Sequence, residues 1–121
     1  MEALMGAEQL EQFEELGRRI VRCWRWRWMP GMAYTQNQYR NQRAVCAGSY
    51  GADCIPDLSD PATMGCLLAL VREAWGDGVY LLPDGGWYVK GARLKNGSSI
   101  NLGICADTEA AALVAALEAA P

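Results

Sequence analysis

The segment from residue 57 to residue 76, Asp-Leu-Ser-Asp-Pro-Ala-Thr-Met-Gly-Cys-Leu-Leu-Ala-Leu-Val-Arg-Glu-Ala-Trp-Gly, specifies a helix together with both of its ends. Asp60 can accept hydrogen bonds from the free amides of the first turn, as an N-cap does. Pro61 follows at the position where a missing N–H costs nothing. Gly76 stands just past Trp75, where a left-handed closing residue belongs. Met64, Leu67, Leu68, Val71 and Trp75 recur at helical spacing between those limits. Any fold open to this chain must bury the apolar face of that helix.

The rest of the chain divides around it. A first helix is expected over residues 7–22, with Leu10, Phe13, Ile20 and Val21 inward and Glu8, Glu11, Glu14, Glu15, Arg18 and Arg19 outward. Its acids lead and its bases trail, as the helix dipole favours. Gly17 within it marks close packing or a slight bend. Residues 23–28, Cys-Trp-Arg-Trp-Arg-Trp, alternate with period two. As a strand they would set Trp24, Trp26 and Trp28 on one face and Arg25 and Arg27 on the other. Residues 33–56 are the least regular part, with a short strand possible over 43–47. Long connections of this kind are where contacts with other molecules concentrate.

Beyond the central helix the pattern is that of a β-meander. Residues 79–82, 87–92 and 99–105 read as strands. Pro83-Asp84-Gly85-Gly86 supplies the first turn. Asn96-Gly97 supplies the second, and Asn-Gly is a strong hairpin signal. Asp107 or Thr108 then caps a last helix whose inner face is Ala110, Leu113, Val114 and Leu117. The expected build is one α+β domain over residues 1–121: an antiparallel sheet of three to five strands packed with three helices, in the order helix-strand-loop-helix-strand-strand-strand-helix. With 121 residues, half of them hydrophobic, such a chain needs neither metal nor disulfides to fold.

Charge and cysteine usage narrow the chemistry. Residues 1–15 hold five acids and no base; residues 16–52 hold seven arginines and no acid; the remainder holds nine acids and four bases. The net charge is −3. The basic segment either marks an anionic partner or lies against carboxylates of its own chain. Five cysteines, an odd number with no Cys-x-x-Cys pair, point to reduced thiols. No histidine is present, and the paired ligand spacing of a cysteine zinc site is absent, so no metal and no cofactor are expected. Without histidine the commonest general base is missing. No Gly-x-x-x-x-Gly-Lys loop offers a phosphate cradle. Asp57 and Asp60 serve turn and cap, and Glu73 and Asp77 flank a helix end. No catalytic residue is expected. No run reaches the roughly 18 apolar residues of a membrane span, and the acidic start does not read as a secretory leader. These features place the protein in the cytoplasm, away from membranes.

The segments Trp26-Arg27-Trp28-Met29-Pro30-Gly31-Met32 and 56–76, the latter opening Pro-Asp-Leu-Ser-Asp-Pro-Ala-Thr, together with Asp107-Thr108-Glu109-Ala110 before an alanine-rich helix, resemble a group of small uncharacterised phage and prophage proteins. The order of segments is more loosely similar to the phage ABA-sandwich domain. The first likeness covers about half the chain, and neither covers residues 33–55. It implies a viral or prophage origin, a place in an infected or lysogenic bacterial host, and no known activity. It carries over no functional residue. Small phage accessory proteins often act by binding a host component, sometimes a defence system.

Two functional readings follow. In the first, the protein binds a host or phage macromolecule and inhibits a host process. In the alternative, an arginine and aromatic patch holds a nucleotide or single-stranded nucleic acid. Both use the same residues: Arg25, Arg27, Tyr34, Tyr39, Arg40 and Arg43. Tyrosine and arginine are frequent interface anchors, and guanidiniums pair with phosphate. For the three tryptophans burial is the more economical reading, since each carries a large apolar area.

Overall fold

A computed structural model describes residues 7–36, 39–44, 54–76, 78–83, 85–93 and 99–120, without the side chains of residues 7, 8, 10, 39–41, 92, 93 and 99–102. The chain is α+β, with three helices and two three-stranded antiparallel sheets. Helix α1 (Ala7–Val21) leads into strands β1 (Ala33–Gln36), β2 (Tyr39–Arg43) and β3 (Cys54–Pro56). Helix α2 (Pro61–Trp75) is followed by strands β4 (Tyr80–Pro83), β5 (Trp87–Arg93) and β6 (Ser99–Ala106) and by helix α3 (Glu109–Ala119). The first sheet has the order β2-β1-β3 and the second β4-β5-β6, the meander that the sequence indicates. The Asn96-Gly97 turn lies outside the described residues.

The expected single sheet is replaced by these two, for a local reason. Residues 23–28 do not form a strand. After α1 the backbone keeps turning, with Cys23 N–H donating to Ile20 and Trp26 N–H donating to Cys23. The first sheet is built instead from residues 33–56, the stretch with the weakest apolar pattern.

Helix α2 begins and ends where its caps require. Asp60 accepts from Thr63 N–H at 3.0 Å and Pro61 opens the helix. Gly76, at φ 126°, closes it by donating its N–H to the Arg72 carbonyl. Thr108, rather than Asp107, caps α3, its hydroxyl accepting from Ala111 N–H. Helix α3 is apolar nearly all round, and such a helix must be enclosed. Ala110, Ala112, Leu113, Val114, Ala116 and Leu117 are all buried. The helix touches α1, α2, β5 and β6. One contiguous core joins it to Leu16 and Ile20 of α1, Leu67, Leu70 and Val71 of α2, Cys54 of β3 and Val89 of β5. Cys66, in contrast, is only half-buried.

Gly17 marks close packing. A Cβ there would stand 2.6 Å from Ile55 Cγ2 and 2.9 Å from the Pro56 carbonyl oxygen, so α1 rests directly on β3.

A second joint ties the first sheet to α2. Arg43 grips Asp60 with two hydrogen bonds, of 2.7 and 2.8 Å, and also donates to the Gly31 carbonyl. Asp60 further accepts from the Thr63 hydroxyl, which itself accepts from Ala33 N–H of β1 at 2.7 Å. The hydrogen bonds from Arg43 are the main reason that the Asp60 carboxyl is held down to about 2, with those from Thr63 adding to the effect. Its pKa in the unfolded chain lies near the ordinary 3.8. A depressed carboxyl stabilises the fold fully above its unfolded pKa and ceases to do so as pH falls through its folded value. Discounted for solvent, the ionised Asp60 carboxylate contributes about 1–2 kcal/mol at neutral pH. Urea unfolding of the wild type and of Asp60→Asn should therefore differ by about that amount at pH ~6 and converge towards pH ~2. A difference that stays constant across the range would mean that the ionised carboxylate contributes nothing.

Candidate binding surface

The last turn of α1 carries Arg18 and Arg19, and Arg22 follows in the turn just beyond it. Arg22 stands four residues beyond Arg18 and three beyond Arg19, spacings that share a helix face, and its N–H donates to the Arg19 carbonyl, so the basic surface continues past the C-terminal end of α1 as a ridge. There they also meet the negative end of the helix dipole. Arg18 pairs within the helix with Glu14 and Glu15. Arg19 reaches across to Glu118 at the end of α3 with two hydrogen bonds. That contact raises the Arg19 pKa further above its ordinary value. Arg22 is exposed and has no carboxylate partner among the described residues.

The turn after α1 is drawn inward at Cys23, whose Sγ donates to the Leu117 carbonyl at 3.7 Å. With Cys23 turned in, Trp24 turns out. Its side chain is 77 % exposed, the largest exposure of any bulky apolar side chain among the described residues. Tryptophan is ordinarily well buried, so this is the observation that needs a reason. The Arg25 guanidinium lies 4.3 Å from the centre of the Trp24 ring. An exposed cation–π contact of this kind is worth about 0.5–1 kcal/mol. Arg19, Arg22, Cys23, Trp24 and Glu118 line an open groove of about 390 Å³.

Arg27 continues the basic surface but is occupied. It holds Glu73, in the last turn of α2, through hydrogen bonds of 2.8 and 2.7 Å. The same bonds depress the Glu73 carboxyl and raise the Arg27 guanidinium, and the charge of Arg25 lowers Glu73 further. Trp28 is 5 % exposed, and Trp26 is half-buried. Their rings meet edge to face at 5.4 Å, and Trp28 meets Tyr34 in the same way at 5.7 Å. Trp26 Nε1 is buried without a hydrogen-bond partner among the described residues.

The structure divides the residues that the sequence singles out. Arg25 and Arg27 lie in the turn after α1, near the C-terminal end of α2. Arg43 lies at the opposite end of α2, engaged with Asp60. A helix of 15 residues spans about 20 Å, so these arginines do not meet in one patch. Tyr34 is half-buried against Trp28. Tyr39 and Arg40 belong to β2, and their side chains lie outside the described residues. The tryptophans are also divided: Trp28 is core, while Trp24 is surface. The groove residues that sequence reading leaves out are Arg19, Arg22, Trp24 and Glu118. Arg19 and Arg22, three residues apart with a tryptophan just beyond, were the available signal. Glu118 is 99 residues from its partner Arg19 and gave none.

Among the described residues no three cysteine, aspartate or glutamate side chains gather as metal ligands. The Cys23 thiol faces a carbonyl rather than a base. No described helix is long and apolar enough to cross a membrane. The surface offers aromatic stacking, apolar contact and pairing with an anion. No family model, no curated protein and no solved structure matches this chain.

Proposed function

We propose that the protein is a non-catalytic binding protein whose contact surface is the groove around Trp24. One observation carries this reading: a tryptophan 77 % exposed in a groove walled by arginines. Tryptophan and arginine are the residue types that dominate binding energy at interfaces. Holding an indole in water is unfavourable unless a second surface covers it. With the resemblance of its segments to small phage proteins, the reading extends to an accessory protein of phage origin. It acts in the bacterial cytoplasm by engaging a host or viral macromolecule, with inhibition of a host defence as its outcome. The alternative, a binder of a nucleotide or single-stranded nucleic acid, draws support from Arg22 and Arg25 beside the exposed indole.

Trp24→Ala tests the common premise. The substitution is at the surface and removes the cation–π contact with Arg25, so stability should change by no more than about 1 kcal/mol. Binding should fall by at least about tenfold, as for an interface anchor. The readout is capture of partners from bacterial lysate by the full chain, wild type against variant, with oligo-dT titrated in parallel. Equal capture and equal titration by the two proteins would remove Trp24 from the contact surface. A steep loss with added salt would favour the nucleic-acid alternative.

A further inference from the structure

We infer that the groove accepts an acidic peptide segment, a carboxylate taken by Arg22 and an adjacent apolar side chain laid on Trp24. This inference rests on the proposed binding role of the Trp24 surface and names the chemistry of the partner. The argument is charge complementarity. Three neighbouring guanidiniums hold carboxylates, Arg18 with Glu14 and Glu15, Arg19 with Glu118 and Arg27 with Glu73, while Arg25 lies against the Trp24 ring. Two of those pairings are two-pronged, the geometry in which arginine and carboxylate match. Arg22 stands on the same ridge with no carboxylate partner among the described residues. Its exposed guanidinium borders the groove that Trp24 also lines.

Glu118 decides against a phosphate backbone. It sits in the groove wall, where a chain of phosphates would meet its charge. Affinity for single strands grows with the number of phosphates neutralised, and Arg22 and Arg25 supply about two at most. The net charge of −3 adds further repulsion. A peptide meets less of this repulsion, because it can present a single carboxylate to Arg22 and leave the Arg19–Glu118 pair intact. A volume of about 390 Å³ is at the small end of ligand pockets and suits one or two side chains.

The test uses the full chain. A random peptide library displayed on yeast is selected against the wild-type protein, after depletion on the Trp24→Ala/Arg22→Glu variant. The expected result is enrichment of peptides that set Asp or Glu beside Phe, Tyr, Trp or Leu. Their affinity should fall about tenfold on Arg22→Ala, with Arg22→Lys retaining part of it. Unchanged melting temperatures would show that the variants fold. Enrichment without an acidic bias, or no enrichment at all, overturns the inference. Oligo-dT binding that Trp24→Ala abolishes overturns it too, while leaving the binding surface in place. If neither probe responds to Trp24→Ala, the surface itself is lost along with its ligand.

Discussion

Replacing Leu113 with alanine should remove about 2–5 kcal/mol of stability, which is a large part of what a domain of this size possesses. Leu113 is completely buried, and it sits in the middle of α3, the element that α1, α2 and the second sheet all touch. The lost side chain leaves a cavity that several packed elements would have to shift together to fill. Relaxation at one side is opposed by contacts at the others, so the site should behave as one of the less forgiving in the core. Urea unfolding is the appropriate measurement. The midpoint should fall while the slope against denaturant stays unchanged. A loss below about 1 kcal/mol would show that α3 is not enclosed as described.

The second large effect concerns the backbone. Gly91 lies in β5 at φ 95°, a left-handed conformation, beside an irregularity in the β5–β6 pairing. A Cβ at this position would overlap the Gly78 carbonyl oxygen and stand 2.7 Å from Cδ1 of the Tyr80 ring. The ring can swing away, but the carbonyl belongs to the chain entering β4 and cannot. Gly91→Ala should therefore cost about 3 kcal/mol or more, from backbone strain and overlap together. Gly103 supplies the control. It has φ 71°, but a Cβ there would have no atom within 4 Å. Gly103→Ala should cost only the strain, about 1–2 kcal/mol. Thermal melts of the two variants separate the contributions, and equal melting temperatures would show that the close approach at Gly91 is not rigid.

The parts of this fold that could be read in advance are those whose chemistry is local. The start of α2 is announced by Asp60 and Pro61, and its end by Gly76, because a cap acts on amides only a few residues away. The meander could be read because turn residues separate runs of strand-forming side chains. The six residues after α1 misled for a related reason. Alternation over so short a stretch is equally compatible with an irregular turn, and the deciding interaction, Cys23 with the Leu117 carbonyl, spans 94 residues. The arginines are similar. Arg27 meets its partner 46 residues away, Arg43 meets its partner 17 away and Arg19 meets its partner 99 away. No local pattern marks such pairs. They therefore decide which cations are spent within the fold and which remain for a partner. Arg43, legible as a contact residue from its neighbours, proves to be a fastening between the first sheet and α2.

The position of α3 in the chain has a consequence for biosynthesis. The helix around which the other layers close is made after every one of them. Until it has left the ribosome, α1, α2 and the second sheet have no common surface to pack against. Folding must then be a late event dominated by contacts between distant parts of the polypeptide, the class of topology that forms slowly. During that interval the apolar faces of the earlier elements stand open to chaperones and proteases.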